Sequence, residues 1–420
     1  MTVPEGWGKV DLNRIAKVNR GLTWSRSQES HEPTSDSVPV LRIPNIQQSL
    51  DLTDILYIND VNYKKRSKHL AQKGWSIMVG SNGNPDRVGN CVFMSEDTDF
   101  LFASFLVGIE SLDSNQLTPE FLYRLLSGNR IQKSISQSVQ GSTGLRNISL
   151  RMLRSEQVLL PPLPEQKKIA AILSSVDETI QATRETIEQT KKVKQGLMQE
   201  LLTRGIGHTK FKKTEIGEIP ESWEAVKLSE AVSSDAPITY GIVQAGPHIP
   251  DGVPYVRVTD MKGNQLSAEG MLCTHPSIAA NYARTKVSVG DVIYALRGEI
   301  GKVLQIPETL EGANLSRGTA LIRSGDRLRS RFLYWALNGQ NAREQARIES
   351  TGSTFKELML KRLKTITVPL PSIPEQDNIV ETLDVLENSE RAAESSLEVK
   401  LDLKKGLMQD LLTGKVRVAV

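Results

Sequence analysis

The stretch Gly-Leu-Met-Gln-Glu-Leu-Leu-Thr at residues 196–203 returns as Gly-Leu-Met-Gln-Asp-Leu-Leu-Thr at residues 406–413. Seven of the eight positions are identical, and the offset of 210 residues is half of the 420-residue chain. A chance match at any one position has a probability of roughly one in ten to one in twenty. The sequence therefore predicts an internal duplication, with two equivalent copies of whatever surface the chain uses.

Shorter motifs recur in the same order in both halves. They are Pro-Glu-x-Trp at 4–7 and 220–223, Val-Pro-x-x-Arg at 38–42 and 253–257, Phe-Leu-Tyr at 121–123 and 332–334, Gly-Ser-Thr at 141–143 and 352–354, and Pro-Glu-Gln at 164–166 and 374–376. Their offsets drift between 210 and 216 residues, which indicates a few loop insertions. Each half is predicted to be one globular module followed by one long tail.

The tails are predicted to be helices that pair as a coiled coil. Apolar or small residues alternate at spacings of four and three, the heptad pattern of a coiled-coil seam. A helix over 164–203 would span about 60 Å. Two ordinary core helices are the alternative, which the length and the strict register disfavour. The predicted seam and partner contacts are Ile169, Leu173, Val176, Ile180, Ile187, Leu197, Met198, Leu201, Ile379, Leu383, Leu386, Leu397, Leu407, Met408 and Leu411.

The predicted fold class is α+β, with two duplicated globular domains separated by two long antiparallel helices and related by an approximate two-fold axis. The predicted boundaries are 1–160 for the first domain, 161–205 for the central helix, 206–219 for a polar linker, 220–370 for the second domain and 371–414 for the C-terminal helix. Within the modules, 76–79 and 291–296 are predicted strands, 121–126 and 332–337 are predicted helices, and 80–85 is a predicted loop.

The composition excludes several classes of protein. The chain is 39% hydrophobic and 24% charged, and its net charge is only +3. Cys91 and Cys273 are the only cysteines, so neither a disulfide framework nor a cysteine-rich metal site is expected. The most apolar stretch, 100–109, has about half the length of a membrane-spanning helix. A soluble, cytoplasmic protein is expected.

The sequence carries no catalytic constellation. The five histidines stand singly, without metal-ligand spacing, and no Gly-x-Gly-x-x-Gly or phosphate-binding loop is present. The chain is therefore expected not to be an enzyme, and no cofactor or metal of its own is expected.

Both modules instead contain basic and amide-rich segments, which are predicted to be loops. Lys and Arg neutralise phosphates, Arg can bind guanine and Asn can bind adenine. Each run alone is more often a solvated surface, but their presence on twin modules favours duplex DNA. The candidate DNA-binding residues are Arg42, Lys64, Lys65, Arg66, Lys68, Ser81, Asn82, Asn84, Arg87, Arg257, Arg284, Lys286, Arg297, Lys302 and Arg317.

With these motifs in place, the whole chain resembles the DNA-specificity (S) subunit of type I restriction-modification systems. The resemblance rests on the ordered double set of motifs: Pro-Glu-x-Trp, Gly-Ser-Thr, the tail opening around Pro-Glu-Gln and the tail closing Gly-Leu-Met-Gln-x-Leu-Leu-Thr. Arg297-Gly298 followed by Gly301-Lys302-Val303 adds to it.

The resemblance implies two target-recognition domains that each read half of a bipartite DNA site, with the helices setting the spacer. It also implies two modification (M) subunits, which bring S-adenosylmethionine, and restriction (R) subunits, which bring ATP and Mg. Two alternatives stay open. One is a structural adaptor with twin protein-binding modules, and the other, less favoured, is a self-contained methyltransferase or nuclease.

Overall fold

The computed structural model describes residues 3–138, 146–350 and 356–419, so both Gly-Ser-Thr motifs lie outside the described residues. The chain divides into two compact units. Unit 1 comprises Met1–Arg184 and Ser395–Val420, and unit 2 comprises Glu185–Glu394. Each unit therefore contains one globular module together with half of each long helix.

Unit 1 combines short strands with short helices and begins the first long helix. Its strands are β1 (Gly8–Asp11), β2 (Ala16–Arg20), β3 (Glu29–Ser30), β4 (Val38–Leu41), β5 (Leu56–Ile58), β6 (Ser76–Val79), β7 (Ser81–Asn82), β8 (Cys91–Phe93), β9 (Leu101–Phe102), β10 (Leu106–Ser111), β11 (Arg146–Asn147) and β12 (Gln157–Leu160). Its helices are α1 (Tyr63–His69), α2 (Pro119–Ser127), α3 (Asn129–Ser138), α4 (Leu150–Ser155) and the start of α5 (Leu163–Thr203).

Unit 2 has a comparable set of elements. Its strands are β13 (Phe211–Thr214), β14 (Gly217–Pro220), β15 (Glu224–Lys227), β16 (Thr239–Tyr240), β17 (Val253–Val256), β18 (Cys273–Thr274), β19 (Val292–Ala295), β20 (Val303–Gln305), β21 (Asn314–Leu315), β22 (Thr319–Ile322) and β23 (Thr367–Leu370). Its helices are α6 (Leu228–Ala231), α7 (Pro276–Asn281), α8 (Ser330–Asn338), α9 (Gln340–Glu349), α10 (Leu360–Leu363) and the start of α11 (Ile373–Thr413).

The two units share one sheet topology. An antiparallel sheet in the order β2-β10-β6-β8 in unit 1 matches β16-β22-β19-β20 in unit 2. Next to it, β4 pairs in parallel with β9, as β17 pairs in parallel with β21. The outer pair β1-β12 matches β15-β23. The repeated strand order confirms the internal duplication and the mixed helix-and-strand class.

The repeated Trp, Glu and Gln residues join each module to the start of its long helix. In unit 1, Trp7 Nε1 donates to Glu165 Oε2 at 2.9 Å, and in unit 2 Trp223 Nε1 donates to Glu375 Oε2 at 2.8 Å. The next residue in α5, Gln166, is 1% exposed and its amide binds three backbone groups, which are Thr118 N, Gln116 O and Pro161 O. The motif Pro-Glu-Gln is thus a structural joint, which explains its presence in both halves.

In each unit, a second side chain also contacts the glutamate of this joint. In unit 1, Arg417 pairs with Glu165 at 2.7 Å, whereas in unit 2 His208 Nε2 lies 2.8 Å from Glu375 Oε1. Burial alone would raise the pKa of Glu165, but the hydrogen bonds from Arg417 and Trp7 outweigh it and lower that pKa. The ionised carboxylate therefore serves as an acceptor for two segments far apart in sequence.

Within each unit, the two long helices run antiparallel to each other. In unit 2, Lys194 pairs with Glu390, and Lys191 lies 3.4 Å from Glu394. In unit 1, Lys400 Nζ donates to Thr183 Oγ1 at 2.6 Å. None of the predicted seam residues is exposed. Because Glu390 is only 3% exposed, its pairing with Lys194 favours one register of the helices over shifted ones.

Three predictions about local structure are wrong. Residues 63–69 form helix α1 rather than a loop, because the Asn62 side chain accepts a hydrogen bond from Lys65 N at 2.9 Å and caps it. The predicted loop 80–85 contains strand β7, which pairs with β11. The polar linker 206–219 contains the hairpin β13-β14, whose Ile216 and Ile219 are buried. The predicted strands at 76–79 and 291–296 and the helices at 121–126 and 332–337 are confirmed.

Asp177 of α5 lies where the module and both long helices of unit 1 meet. It accepts a hydrogen bond from Arg124, whose side chain is 6% exposed, and its carboxylate lies 2.7 Å from Lys404 Nζ. Burial would raise the pKa of Asp177, but the hydrogen bonds and charges of Lys404 and Arg124 lower it below its ordinary 3.8. Because the pKa of Asp177 is lower in the folded protein than in the unfolded chain, its ionised carboxylate stabilises the fold. This stabilisation is fully present above the pKa of the unfolded state and is lost as the pH falls through the pKa of the folded state.

We therefore expect Asp177→Asn to lower the free energy of unfolding by about 1–3 kcal/mol at neutral pH. The difference in the free energy of unfolding between the variant and the wild type should shrink below about pH 4, where the Asp177 carboxylate of the unfolded chain becomes protonated. Urea unfolding followed by circular dichroism across this range measures it, with exposed Glu178→Gln on the same helix as the control. A difference that does not change with pH would contradict the assignment.

Candidate nucleic-acid interface

In unit 1, three chain segments meet where β4, β6 and β9 end. Ala103 N donates to Leu41 O at 2.9 Å, and Gly80 N donates to Phe105 O at 2.8 Å. These bonds hold segments 42–45, 80–87 and 103–105 side by side, and we call this group the loop edge of unit 1.

Unit 2 has an equivalent loop edge, formed by segments 257–260, 296–302 and 316–318. Here Ser316 N donates to Val256 O at 2.9 Å, and Leu296 N donates to Gly318 O at 2.8 Å. These bonds link the counterparts of the segments that are linked in unit 1. The duplication therefore reproduces the loop edge as well as the apolar core.

A basic segment packs beside each loop edge. In unit 1 it is α1, which packs against β9 through His69, whose ring meets Phe102 edge-on with 6.0 Å between centroids. In unit 2 it is the turn Ala283–Thr285, which packs against β21 and β16 and presents Arg284 and, just after it, Lys286. The two segments differ in secondary structure but lie against equivalent strands.

Several candidate cations are held in ion pairs within their own unit. The pairs are Arg42–Asp54 at 2.9 Å, Arg66–Asp99 at 3.5 Å, Arg257–Asp260 at 2.6 Å, Arg297–Glu357 at 2.6 Å and Lys302–Glu299 at 2.9 Å. The hydrogen bond to Asp260 also raises the pKa of Arg257. A paired arginine can contact DNA only through its remaining N–H groups or by exchanging its partner.

The amide-rich segment of unit 1 uses its side chains to shape the backbone. Ser81 is 1% exposed and bonds to the Asn147 side chain. The side chain of Asn84 accepts from Asp86 N at 3.0 Å, and that of Asn82 accepts from Asn84 N at 2.9 Å. Arg87 Nη2 donates to Gln47 Oε1 at 2.5 Å. These contacts fix the loop conformation, and they occupy the side-chain oxygens of Asn82 and Asn84.

The remaining candidate cations are exposed and carry no ion pair to any residue that the structure describes. They are Lys64, Lys65 and Lys68 in unit 1 and Arg284, Lys286 and Arg317 in unit 2. Their positive charge is available to an external anion. Both units therefore combine a loop edge of fixed conformation with a short basic segment whose cations have no ion pair among the described residues.

Sequence reasoning missed two aromatic residues near the loop edges. Phe105 at the loop edge of unit 1 is 46% exposed, and Tyr240 at the end of β16 is 38% exposed. Phe105 lies inside the apolar run 100–109, where its exposure cannot be read from residue type. The exposure arises because the turn after β9 carries that side chain outward, while Ala103 and Leu106 stay buried.

The described part of the chain contains neither a metal-ion site nor a membrane-spanning helix. No group of three or more His, Cys, Asp or Glu side chains is arranged to hold a metal ion. No helix there combines the length and the apolar character needed to cross a bilayer.

The family model for the type I restriction modification DNA specificity domain matches residues 4–192 and again residues 220–401. The chain belongs to this family. The two matched stretches correspond to the two halves of the duplication, so each half is one copy of the specificity domain.

Members of the specificity family are similar to the chain over most of its length. A candidate type I restriction enzyme MjaX specificity subunit of Methanocaldococcus jannaschii is 28% identical over 425 residues, covering 99% of this chain and 95% of that protein. The MjaVIII specificity subunit of the same organism is 30% identical over 301 residues, which are 69% of each chain. The EcoBI specificity subunit of Escherichia coli is 26% identical over 442 residues, covering 99% of this chain and 87% of that subunit.

Solved structures of the family share the fold. The type I restriction-modification S subunit from M. genitalium gives a TM-score of 0.59 at 16% identity, covering 97% of this chain and 96% of that one. A chain from a study of complex assembly and conformational transition in the type I R-M system gives 0.56 at 19% identity, covering 99% and 100%. At these identities the likeness establishes the fold of the specificity family and no more.

Proposed function

We propose that this chain is the DNA-reading subunit of a type I restriction-modification system and has no catalytic activity of its own. The observation that carries the proposal is the duplicated loop edge with a free basic segment beside it, on a chain of the specificity family. A protein that reads two separate half-sites needs two such surfaces. An adaptor that binds protein through twin modules has no need for exposed cations at equivalent places.

Each unit is proposed to read one half of a two-part site. Lys64, Lys65 and Lys68 in unit 1, and Arg284 and Lys286 in unit 2, would contact phosphates and fix the position of the unit on the duplex. The loop edges would face the base edges, where Arg317 can donate to a guanine and Phe105 can pack on a base or a methyl group. The paired arginines, Arg42, Arg257 and Arg297, are proposed to hold the loops in shape.

The long helices are proposed to form an antiparallel coiled-coil spacer. Their buried seam and the Lys194–Glu390 pair resist sliding, so the number of helical turns would set the unread gap between half-sites. The outer helix surfaces carry exposed apolar residues, which a partner helix can cover: Val193, Val385, Val399, Leu401 and Leu403. We propose that two modification subunits dock there and supply S-adenosylmethionine, and that restriction subunits supply ATP-driven cleavage.

Methylation mapping tests this function. Co-expressed with its cognate modification subunit, the chain should direct adenine methylation to a motif of two blocks with a fixed gap. Exchanging residues 1–150 for those of a relative should change one block and leave the other unchanged. Methylation by the chain alone, or a change in both blocks, would contradict the proposal.

A further inference from the structure

A cleft recurs at the same place in both units. In unit 1 it has a volume of about 400 Å³ and lies between the start of α3, strand β12 and the end of α11. In unit 2 it has a volume of about 150 Å³ and lies between the start of α9, strand β23 and the end of α5. The lining residues correspond through the duplication, since Met408 and Leu412 in unit 1 match Met198 and Leu202 in unit 2.

In unit 2, a turn of the chain itself lies on the rim of this cleft. The turn between β13 and β14 places Ile216 O 2.8 Å from Asn341 Nδ2 and Glu215 Oε1 2.5 Å from Thr367 Oγ1, and both of these partners line the cleft. Ile216 is 7% exposed and belongs to the same apolar cluster as Leu202. Two residues that line the unit 2 cleft are therefore bound by an acidic residue and the branched aliphatic residue that follows it.

The unit 1 cleft is larger and carries two cations on its rim. Its described lining includes Arg130 and Lys133, together with the acidic Glu156. Arg130 stands where unit 2 has Asn341, and Lys133 stands where unit 2 has Glu344. Arg130 lies 3.8 Å from Glu156, a long contact, while Lys133 is exposed. Unit 1 therefore has two cations at positions where unit 2 has one neutral and one acidic residue. Two cations on the rim favour an acidic occupant.

We propose that the unit 1 cleft binds a segment of a partner protein in which a branched aliphatic residue follows an acidic residue. The aliphatic side chain would enter the space beside Met408 and Leu412; in unit 2, Ile216 belongs to the same apolar cluster as Leu202, the counterpart of Leu412. The acidic side chain would pair with Arg130 or Lys133. A volume of this size is at the lower end of the range for ligand pockets. The proposal concerns protein binding and does not rest on the DNA-reading function.

The chain supplies its own probe for this cleft. A fluorescent peptide of residues 214–221, Thr-Glu-Ile-Gly-Glu-Ile-Pro-Glu, combines the required acids and aliphatic side chains. Fluorescence anisotropy with the full-length protein should show saturable binding with one site per chain. A peptide carrying both Ile216→Asp and Ile219→Asp should bind at least about tenfold more weakly, because neither of its acidic-then-aliphatic pairs can then fill the apolar space.

Matched variants of the protein locate the site. Asn129→Trp, which fills the unit 1 cleft, and Lys133→Glu, which reverses a rim charge, should each weaken peptide binding by about tenfold or more. Their counterparts in unit 2, Gln340→Trp and Glu344→Lys, should leave peptide binding unchanged. Asn129 and Lys133 are exposed, and Lys133→Glu carries the test alone if thermal melts show that Asn129→Trp perturbs folding.

Three results would overturn the proposal. The first is no saturable peptide binding, and the second is binding that the unit 2 variants weaken as much as the unit 1 variants do. The third is a concentration-dependent dimer in sedimentation velocity that Asn129→Trp abolishes, because a second copy of the chain would then be the occupant.

Discussion

A chain in which Arg284, Lys286 and Arg317 are all replaced by Gln is expected to bind its DNA site about 100-fold more weakly at moderate salt. The three side chains are exposed, lie around the loop edge of unit 2 and have no ion pair within the described residues. A loss of about 1 kcal/mol for each of the two phosphate contacts and for the guanine contact of Arg317 gives a factor of this order. The slope of log affinity against log salt should become shallower by about 2, since each of the two neutralised phosphates contributes about 0.9.

Fluorescence anisotropy at several salt concentrations measures both quantities, with a duplex that carries the methylated motif of the assembled complex. Arg347→Gln is the matched control, because Arg347 of α9 is also exposed but is bound to Glu344 at 2.6 Å. An unchanged salt slope in the triple variant would remove these residues from the interface. An equal loss in the control would show that general charge alone is measured.

Trp223→Ala is expected to have the largest effect on stability. The Trp223 side chain is 1% exposed, belongs to the main apolar cluster of unit 2 and binds Glu375. Its removal should lower the free energy of unfolding by about 3–5 kcal/mol, because a large cavity opens and a buried hydrogen bond is lost. Calorimetry should show the transition of unit 2 lowered by roughly 10 °C.

Trp223→Phe separates the two contributions to this loss. Phenylalanine keeps most of the apolar contact but cannot donate to Glu375, so a loss of about 1–3 kcal/mol is expected. Trp24→Ala is the control, because Trp24 is only partly buried against a smaller apolar cluster and its Nε1 donates to Glu29; a smaller loss, about 1–2 kcal/mol, is expected there. A Trp223→Ala variant that melts at the wild-type temperature would refute the role of this joint.

The sequence was sufficient to predict the duplication and the long helices, because both depend on local patterns. The heptad positions of α5 and α11 follow from spacing alone, and repeated motifs need only comparison of one half with the other. The reason for the Pro-Glu-Gln repeat could not be predicted. It depends on Trp7 and Gln116, which are distant from Glu165 and Gln166 along the chain and meet them only in the fold.

The candidate DNA-binding residues show the limits of reasoning from residue type. Arg297 and Arg317 look alike in sequence, yet one pairs with Glu357, sixty residues away, and the other pairs with no described residue. The hairpin β13-β14 was mistaken for a linker because Lys212 and Lys213 make it look polar. The sequence did contain a short signal for a hairpin, since two isoleucines, Ile216 and Ile219, bracket a glycine that can form a turn. In the structure Gly217 has a φ of +99°, which glycine adopts readily.

The division of the chain into units has a consequence for synthesis on the ribosome. Unit 2 is one continuous stretch, 185–394, and its contacts can form as soon as that stretch has emerged. Unit 1 is discontinuous and needs residues 395–420, which emerge only after unit 2. Until they arrive, the apolar surfaces that Met408 and Leu411 later cover stay open to solvent, although the rest of unit 1 has already been translated.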